Sequence, residues 1–408
     1  MASKMRVIML SWEYPPMRVG GIAAALEGLA PALARLGIDV HVVTCGASGG
    51  EADETPQPHL HIHRVNVHEH ANDFFHWVHL LNAQMEARAS ALLESFRSDV
   101  DTPTLLHVHD WLGLFAGRIL KYRYRLPMLS TIHATEFGRN NGIHTDVQRY
   151  INQCEWELQF ESWRVIVCSG FMQGEVEYAL HTPGDKIDII YNGVETGTFD
   201  FPFSDEERTR FRARFAAPNE KIIFFIGRMV REKGAQVLID ALPRVRYNYH
   251  DAKLVIAGGG ERGHLENQAM YSGMARHVYF AGRVSDPDRD RLYKIADVAV
   301  YPSLYEPFGI VALEAMAAQV PVVVSNAGGL PEVVEHDVSG TVTYNGNPDS
   351  LAWGITRVLK DPDNAKQMTE AAYTRAQTVF DWDVIAGQTE AVYKRCWEEY
   401  KASAWAKG

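Results

Sequence analysis

Several things are missing or scarce in this 408-residue chain, and each narrows what it can be. Its four cysteines, Cys45, Cys154, Cys168 and Cys396, show no C-x-x-C spacing. A disulfide framework or zinc ribbon is therefore not expected, and the thiols read as reduced and packed. No window approaches the ~18–20 consecutive apolar residues of a membrane span. Met1-Ala-Ser-Lys-Met5 runs directly into an apolar strand rather than a signal peptide, so the expected location is cytoplasmic, with no integral membrane segment. Positive charge is also short. Lys and Arg number 40 against 51 Asp and Glu, a formal net charge of −11, and basic residues cluster only at Lys121-Tyr-Arg-Tyr-Arg125. That balance disfavours a nucleic-acid partner.

What is present reads as two α/β domains, by length and by alternation of short apolar runs with helical periodicity. Arg6 to Ser11 is a buried-type strand, followed by a loop ending in Gly20-Gly21. Ile22, Leu26, Leu29, Leu33 and Leu36 then mark a helix. Glycines there let main-chain amides approach a phosphate or sugar. Further strands are expected at 39–44, 59–63, 105–111, 127–133, 164–169 and 186–191, with 46–58 and 136–144 as loops, the second a mobile acceptor loop. His59, His61 and His63 alternate on one strand face; a polar face is the favoured reading over a metal site. The expected organisation is a first Rossmann-like domain over 1–194, a linker over 195–219, a second Rossmann-like domain over 220–380, and a C-terminal helix over 381–408.

Candidate site residues gather where strands end. Asp110, His109 and His133 stand at carboxyl ends of strands in the first domain, the edge that faces the crevice in parallel α/β sheets. In the second, Gly227-Arg-Met-Val-Arg-Glu-Lys-Gly234 places Arg228 at a strand end and Lys233 before a helix. An arginine fork and a lysine point charge suit a diphosphate. Gly282-Arg283-Val284 is a further turn of this kind, suited to holding a base through main-chain groups. Ser303 to Ala318 then carries Glu306 and Glu314 either side of Pro-Phe308-Gly309, with Ile310 and Val311 opening a helix. A helix start of that kind seats phosphate through its free amides, and carboxylates beside it suit sugar hydroxyls.

Glu306, seven intervening residues and Glu314, together with Gly227 to Gly234 and Gly282 to Val284, resemble the motifs of retaining glycosyltransferases of the two-Rossmann-domain GT-B fold, the E-x7-E type that includes glycogen synthases and sucrose-phosphate synthases. The resemblance implies parallel sheets facing across a deep cleft. It assigns Glu314 to the ribose, Glu306 to the donor sugar, and Arg228 with Lys233 to the departing diphosphate. His133 is placed beside the transferred sugar, and Gly21 joins the donor site with Arg283, Val284, Phe308, Gly309, Ile310 and Val311. The implied donor is UDP-glucose or ADP-glucose. No D-x-D metal clamp is evident, so no metal and no further cofactor is expected to be required.

The resemblance implies a carbohydrate acceptor. Ser11 to Pro16 with Val19 to Ile22, and His109-Asp-Trp111, resemble glycogen and starch synthases, but Arg18-Val replaces their Lys-x-Gly-Gly opening. Arg18, Arg139 and Arg149, with Gly20, Gly21, His109 and Asp110, form the expected acceptor set. A sugar phosphate such as fructose 6-phosphate is preferred there, with a growing α-glucan as the alternative. A GT-B-fold epimerase and a non-catalytic nucleotide-sugar-binding protein are the remaining readings. A Rossmann oxidoreductase is weaker, because neither opening glycine turn carries the dinucleotide fingerprint with a ribose acid ~20 residues on.

Overall fold

The computed structural model describes residues 5–47 and 49–407. Residues 1–4, expected to lead into the first strand, and Ser48 of the expected 46–58 loop lie outside the described residues. The chain divides into two compact units, Met1–Gly193 with Trp382–Gly408, and Val194–Asp381. The last long helix, Trp382–Ala402, is thus counted with the first unit, and residues 195–219 with the second.

In the first unit the strands are β1 (Met5–Ser11), β2 (Ile38–Cys45), β3 (Asp53–Gln57), β4 (Leu60–Val65), β5 (Thr104–His109), β6 (Met128–Ile132), β7 (Val165–Val167) and β8 (Ile187–Ile189). They form one sheet in the order β3-β4-β2-β1-β5-β6-β7-β8. Every pairing is parallel except β3 on β4. All seven residues of β1 are buried, as expected of a parallel strand covered on both faces, which is why its sequence is an unbroken apolar run rather than an alternation. β3 is a correction to the sequence reading, which made 46–58 a loop. Its residues, Asp-Glu-Thr-Pro-Gln, are polar and mostly exposed, so no burial pattern announces the strand.

The helix Gly21–Arg35 buries Ile22, Leu26 and Leu33, matching its three- and four-residue spacing. Phe74–Ser95 starts at Asp73, whose carboxylate accepts from His76 N at 2.8 Å. Together with β1, β2 and β5, the latter helix encloses a core of Ile8, Leu10, Val43, Leu81, Met85 and Leu106.

The second unit has β9 (Lys221–Ile226), β10 (Ala252–Ala257), β11 (Val278–Gly282), β12 (Val298–Tyr301), β13 (Val322–Ser325) and β14 (Thr341–Thr343). All pairings are parallel, in the order β11-β10-β9-β12-β13-β14. The order reverses direction between β9 and β12. The loops after these two strands therefore open side by side at the carboxyl edge of the sheet, where α/β proteins build their sites. β14 is too short for the sequence reading to have marked it. The stretch 195–219 is tied down: Ser204 and Glu207 form a capping box for the helix Asp205–Arg212, Phe211 and Phe215 are buried, and Arg212 reaches Asp297 at 2.9 Å.

Candidate functional site

In the second unit the site grows from two loops that only tertiary pairing brings together. β9 ends at Ile226 and Gly227-Arg228 follow; β12 ends at Tyr301 and leads through Ser303 to Glu306. Gly234, at φ +76°, lies so close to the second loop that a Cβ on it would sit 1.9 Å from Pro302 O. Only glycine fits, and its fit sets Lys233 beside that loop. Leu304 N also donates to Glu232 O at 2.7 Å, a second tie between the loops.

Lys233 Nζ then lies 2.7 and 3.0 Å from the two Glu306 oxygens, and Ser303 Oγ donates to Glu306 Oε2 at 3.0 Å. The Glu306 side chain is 8% exposed and that of Lys233 23%, so the pair is shielded yet reachable. Gly328 fixes the other side of the turn. At φ +58°, its Cβ would lie 1.9 Å from Glu306 O, and Gly329 N donates to that oxygen at 2.9 Å.

The helix Ile310–Ala317 follows directly, with Gly309 at its start and no side chain capping its first amides. One turn in, Glu314 Oε2 accepts from Tyr293 OH at 2.8 Å, and Tyr301 OH donates to Tyr293 OH at 3.1 Å. Burial, with the Glu314 charge nearby, pushes the Tyr293 phenol well up, so it stays a neutral donor that orients the carboxylate. Arg289 stands 4.0 Å from Glu314 Oε1; despite burial, which acts downward, the Glu314 and Asp290 carboxylates hold its guanidinium above the ordinary arginine value.

The other expected donor residues take distinct places. Arg228 is half exposed, with Glu232 Oε1 3.2 Å from its Nη2. Arg283 is exposed and packs along the Gly258–Gly260 turn after β10, with Val284 following it. The Phe308 side chain is buried edge-on against Phe380 at 5.9 Å between centroids, so its side chain serves the core and only its main chain is available to a ligand.

Two spacings that the motif reading passed over are present as well. Gly258, Gly260 and Gly263 have G-x-G-x-x-G spacing, but after β10, not at the opening strand of the unit. Asp286-Pro-Asp288 has D-x-D spacing, but forms the first turn of the helix Asp286–Ile295, where Asp286 lies 3.2 Å from Arg289 and Asp288 3.6 Å from Arg291.

In the first unit, the adjacent strands β1, β5 and β6 deliver their carboxyl ends together. Glu13, 1% exposed, accepts from Val19 N at 2.5 Å and Gly20 N at 3.0 Å, holding the turn before Gly21. Burial raises its carboxyl despite those two amides. Asp110 Oδ1 accepts from His133 N at 2.8 Å, and Asp110 sits at φ +56°, ψ 171°, a conformation that costs a non-glycine residue free energy.

His109 Nδ1 and His133 Nε2 are 3.1 Å apart, and His107 touches Thr131 Oγ1 and Tyr393 OH, each at 2.8 Å. Burial pushes all three imidazoles down, His107 to about 3 and His109 well below the ordinary histidine value. They are neutral at physiological pH. A cavity of about 20 Å³ lies along His107, His109, His133, Cys168, Asn192 and Trp382, room for one water, and His109 Nε2 is buried there without a protein partner.

The arginines expected at the acceptor carry acids of their own: Arg18 with Glu27 at 2.7 Å, Arg139 with Glu136 at 3.7 Å, and Arg149 with Asp146 on the same helical turn. Where 136–144 was expected as a loop, Glu136–Asn140 is a short helix capped by Thr135.

Two acids escaped the sequence reading. Glu13 lay unassigned within a quoted motif, and Glu155 drew no assignment. Glu155 is 2% exposed, accepts from Glu136 N at 2.8 Å, and its carboxyl is pushed well up, by burial first. Buried acids on ordinary helical positions carry no sequence signal.

Comparison with known proteins gives a consistent result. Residues 207–375 match the family "Glycosyl transferases group 1", and residues 19–198 match "Glycosyltransferase Family 4". An uncharacterized glycosyltransferase of Methanocaldococcus jannaschii is 41% identical over 96% of this chain and 98% of its own length. A glycogen synthase of Mycobacterium tuberculosis is 36% identical over 95% of this chain and 94% of its own. Among solved structures, a sucrose-phosphate synthase from Thermosynechococcus elongatus superposes with a TM-score of 0.80 at 23% identity, covering 97% and 100% of the two chains. An Anabaena protein in complex with UDP-glucose superposes at 0.75 and 22% identity, covering 96% and 100%.

Proposed function

Because this chain belongs to the family 4 glycosyltransferases, with their GT-B fold of two parallel-sheet units, we propose that it transfers a glucosyl group, with retention, from a nucleotide-glucose, UDP- or ADP-glucose, to a carbohydrate. The observation that carries this is the convergence of Lys233, Glu306 and the helix start at Gly309 on one sheet edge, with Lys233 Nζ 2.7 Å from Glu306. In this reading Glu314, aimed by Tyr293, bonds the ribose hydroxyls, and main-chain groups around Arg283 and Val284 hold the base. Lys233, Arg228 and the amides of Gly309, Ile310 and Val311 take the diphosphate.

In the reaction, the bond from the anomeric carbon to the β-phosphate oxygen breaks, and its electron pair stays on phosphate. The acceptor hydroxyl bonds the same carbon on the same face, and its proton passes to the departing phosphate oxygen. Charge grows on phosphate as the bond breaks, so preplaced cations and amides stabilise the transition state more than the ground state. They fill the neutralising role of a divalent ion, and added Mg²⁺ should leave the rate unchanged. His133, whose imidazole is held neutral, offers hydrogen bonding to the transferred sugar without adding positive charge.

For the acceptor we favour an α-glucan. The relative named glycogen synthase matches nearly end to end at 36% identity. Arg18, Arg139 and Arg149, the cations a sugar phosphate would need, already face carboxylates. The sugar-phosphate reading stands second, on the fold likeness to sucrose-phosphate synthase. Nucleoside diphosphate release from UDP-glucose, ADP-glucose and GDP-mannose, measured against glycogen, fructose 6-phosphate and glucose 6-phosphate, tests both. Glycogen-dependent release with an α-linked product is expected. Release with fructose 6-phosphate alone transfers the acceptor assignment, and no acceptor-dependent release with any glucose donor ends the glucosyltransferase reading.

A further inference from the structure

At the amino-terminal part of β2 and β4, away from the carboxyl edge that carries His133 and Asp110, lies a second group of chemistry-bearing side chains. Asp39 and His41 alternate along β2 and so share a face, and His61 is the register partner of His41 on β4. One ligand atom from each of the three lies within 4.8 Å of the others. His41 Nε2 is 3.3 Å from Asp39 Oδ2, and His61 Nε2 is 3.3 Å from Asp39 Oδ1. Two donor atoms bound to one tetrahedral ion at about 2.0–2.1 Å are separated by about 3.3 Å.

The surrounding bonds leave His41 Nε2 with nothing else to do. His63 Nδ1 is 2.6 Å from Asp53 Oδ1, and His63 Nε2 is 3.1 Å from His41 Nδ1. Arg88, which pairs with Asp53, lies 2.9 Å from the same His63 nitrogen; the shorter carboxylate contact sets the tautomer. A proton on His63 Nδ1 then puts the His41 proton on Nδ1 and a bare lone pair on Nε2. His41 is 5% exposed, and its Nε2 is buried without a hydrogen-bond partner.

An imidazole nitrogen buried without a partner 3.3 Å from a carboxylate oxygen is an open donor for a cation that both can ligate. Arg6 Nε donates to Asp39 Oδ2 at 3.1 Å and is itself spread over Phe96 and Asp99, so Oδ1 and the second lone pair of Oδ2 remain for an ion. His61 Nδ1 in turn meets Thr55 Oγ1 at 3.1 Å, an outer contact of the kind that orients a ligating imidazole.

We propose that Asp39, His41 and His61 bind a zinc ion, with Asp53–His63 and Thr55 orienting the two imidazoles and a water in the fourth position. Two imidazoles and one carboxylate are a zinc-type donor set, and the part-exposed His61 gives a way in. The ion joins β4 to β2 directly and, through Thr55 and Asp53, the short antiparallel β3 to both. Its role is to hold the edge of the first sheet. It takes no part in transfer.

The test uses the full chain, stripped by chelator dialysis and titrated calorimetrically with Zn²⁺, with Co²⁺ absorption as a second reading. One ion per chain, a visible Co²⁺ spectrum of four-coordinate intensity and a higher melting temperature with Zn²⁺ are expected. His61→Ala, at a half-open position, should lose at least tenfold in affinity, and Thr55→Val about tenfold. His61→Gln, which keeps the side-chain bulk, covers the case in which the alanine variant folds poorly. Absence of stoichiometric binding, or equal affinity in native protein and both His61 variants, overturns the proposal and leaves the transferase reading untouched.

Discussion

Lys233 Nζ lies 2.7 Å from Glu306 Oε2, so the cation assigned to the diphosphate is already held by the carboxylate assigned to the sugar. The pair keeps the ammonium aimed while both groups sit in a shielded place. A diphosphate arriving there, as proposed, would not displace a loose side chain but would add a second anion to a cation already in position.

Lys233→Ala should therefore cost twice. Turnover should fall by about 10²–10³, the usual loss when one preplaced group at a developing oxyanion is removed. Stability should fall by about 1–3 kcal/mol, because Glu306 is left buried with only Ser303. Diphosphate release and thermal melting read the two separately. Near-normal turnover would take Lys233 out of the reaction.

Tyr293→Phe removes the hydroxyl that aims Glu314 without touching either glutamate. The donor KM should rise by about tenfold, with kcat changed much less, since a lost hydrogen bond to a charged group is worth about 1.5–3 kcal/mol and ribose binding is shared by ground and transition states. Steady-state kinetics at varied donor concentration decide it; an unchanged KM would mean Glu314 needs no such support.

Gly234→Ala tests how the lysine loop is seated. At φ +76° and with a Cβ 1.9 Å from Pro302 O, alanine is both strained and obstructed. Destabilisation of roughly 2 kcal/mol or more is expected, with turnover falling because Lys233 and Glu306 are pushed apart. Denaturant unfolding and activity at low temperature measure these. Full activity at unchanged stability would contradict the geometry.

Glu155 makes stability depend on pH in a defined direction. Its folded-state carboxyl is raised above the ordinary value of 4.5, so the folded protein binds more proton than the unfolded chain above that value. Stability from this group is present at low pH and is lost as pH climbs from about 4.5 through the raised folded value. Glu155→Gln keeps an acceptor for Glu136 N and abolishes the penalty. The variant's advantage in melting temperature should grow from pH 4.5 to pH 8. A constant difference would show that Glu155 is ionised in the folded protein without cost.

The legible part of this protein was what repeats locally. β1 and β7 read as strands because parallel strands covered on both faces are continuous apolar runs. The helix at Gly21 read from its spacing, and Glu306 and Glu314 from their interval beside a glycine turn. β3, a polar edge strand, and the short helix at Glu136 escaped, since neither has an apolar face to announce it. Phe308 was assigned to the donor and proves to have its side chain in the core, because composition does not tell which way a side chain turns.

By itself, then, the sequence determined the alternation of strands and helices, the glycine turns at the strand ends and the residue types available there. Which of those residues meet was decided only by the folded sheets. Lys233 and Glu306 are 73 positions apart, and they touch because β9 and β12, not consecutive in the chain, pair as neighbours with a glycine at the crossing. His41 and His61 face each other for the same reason. Pairing of non-consecutive parallel strands depends on burying whole apolar faces at once, a property of the packed sheet that no short stretch of sequence carries.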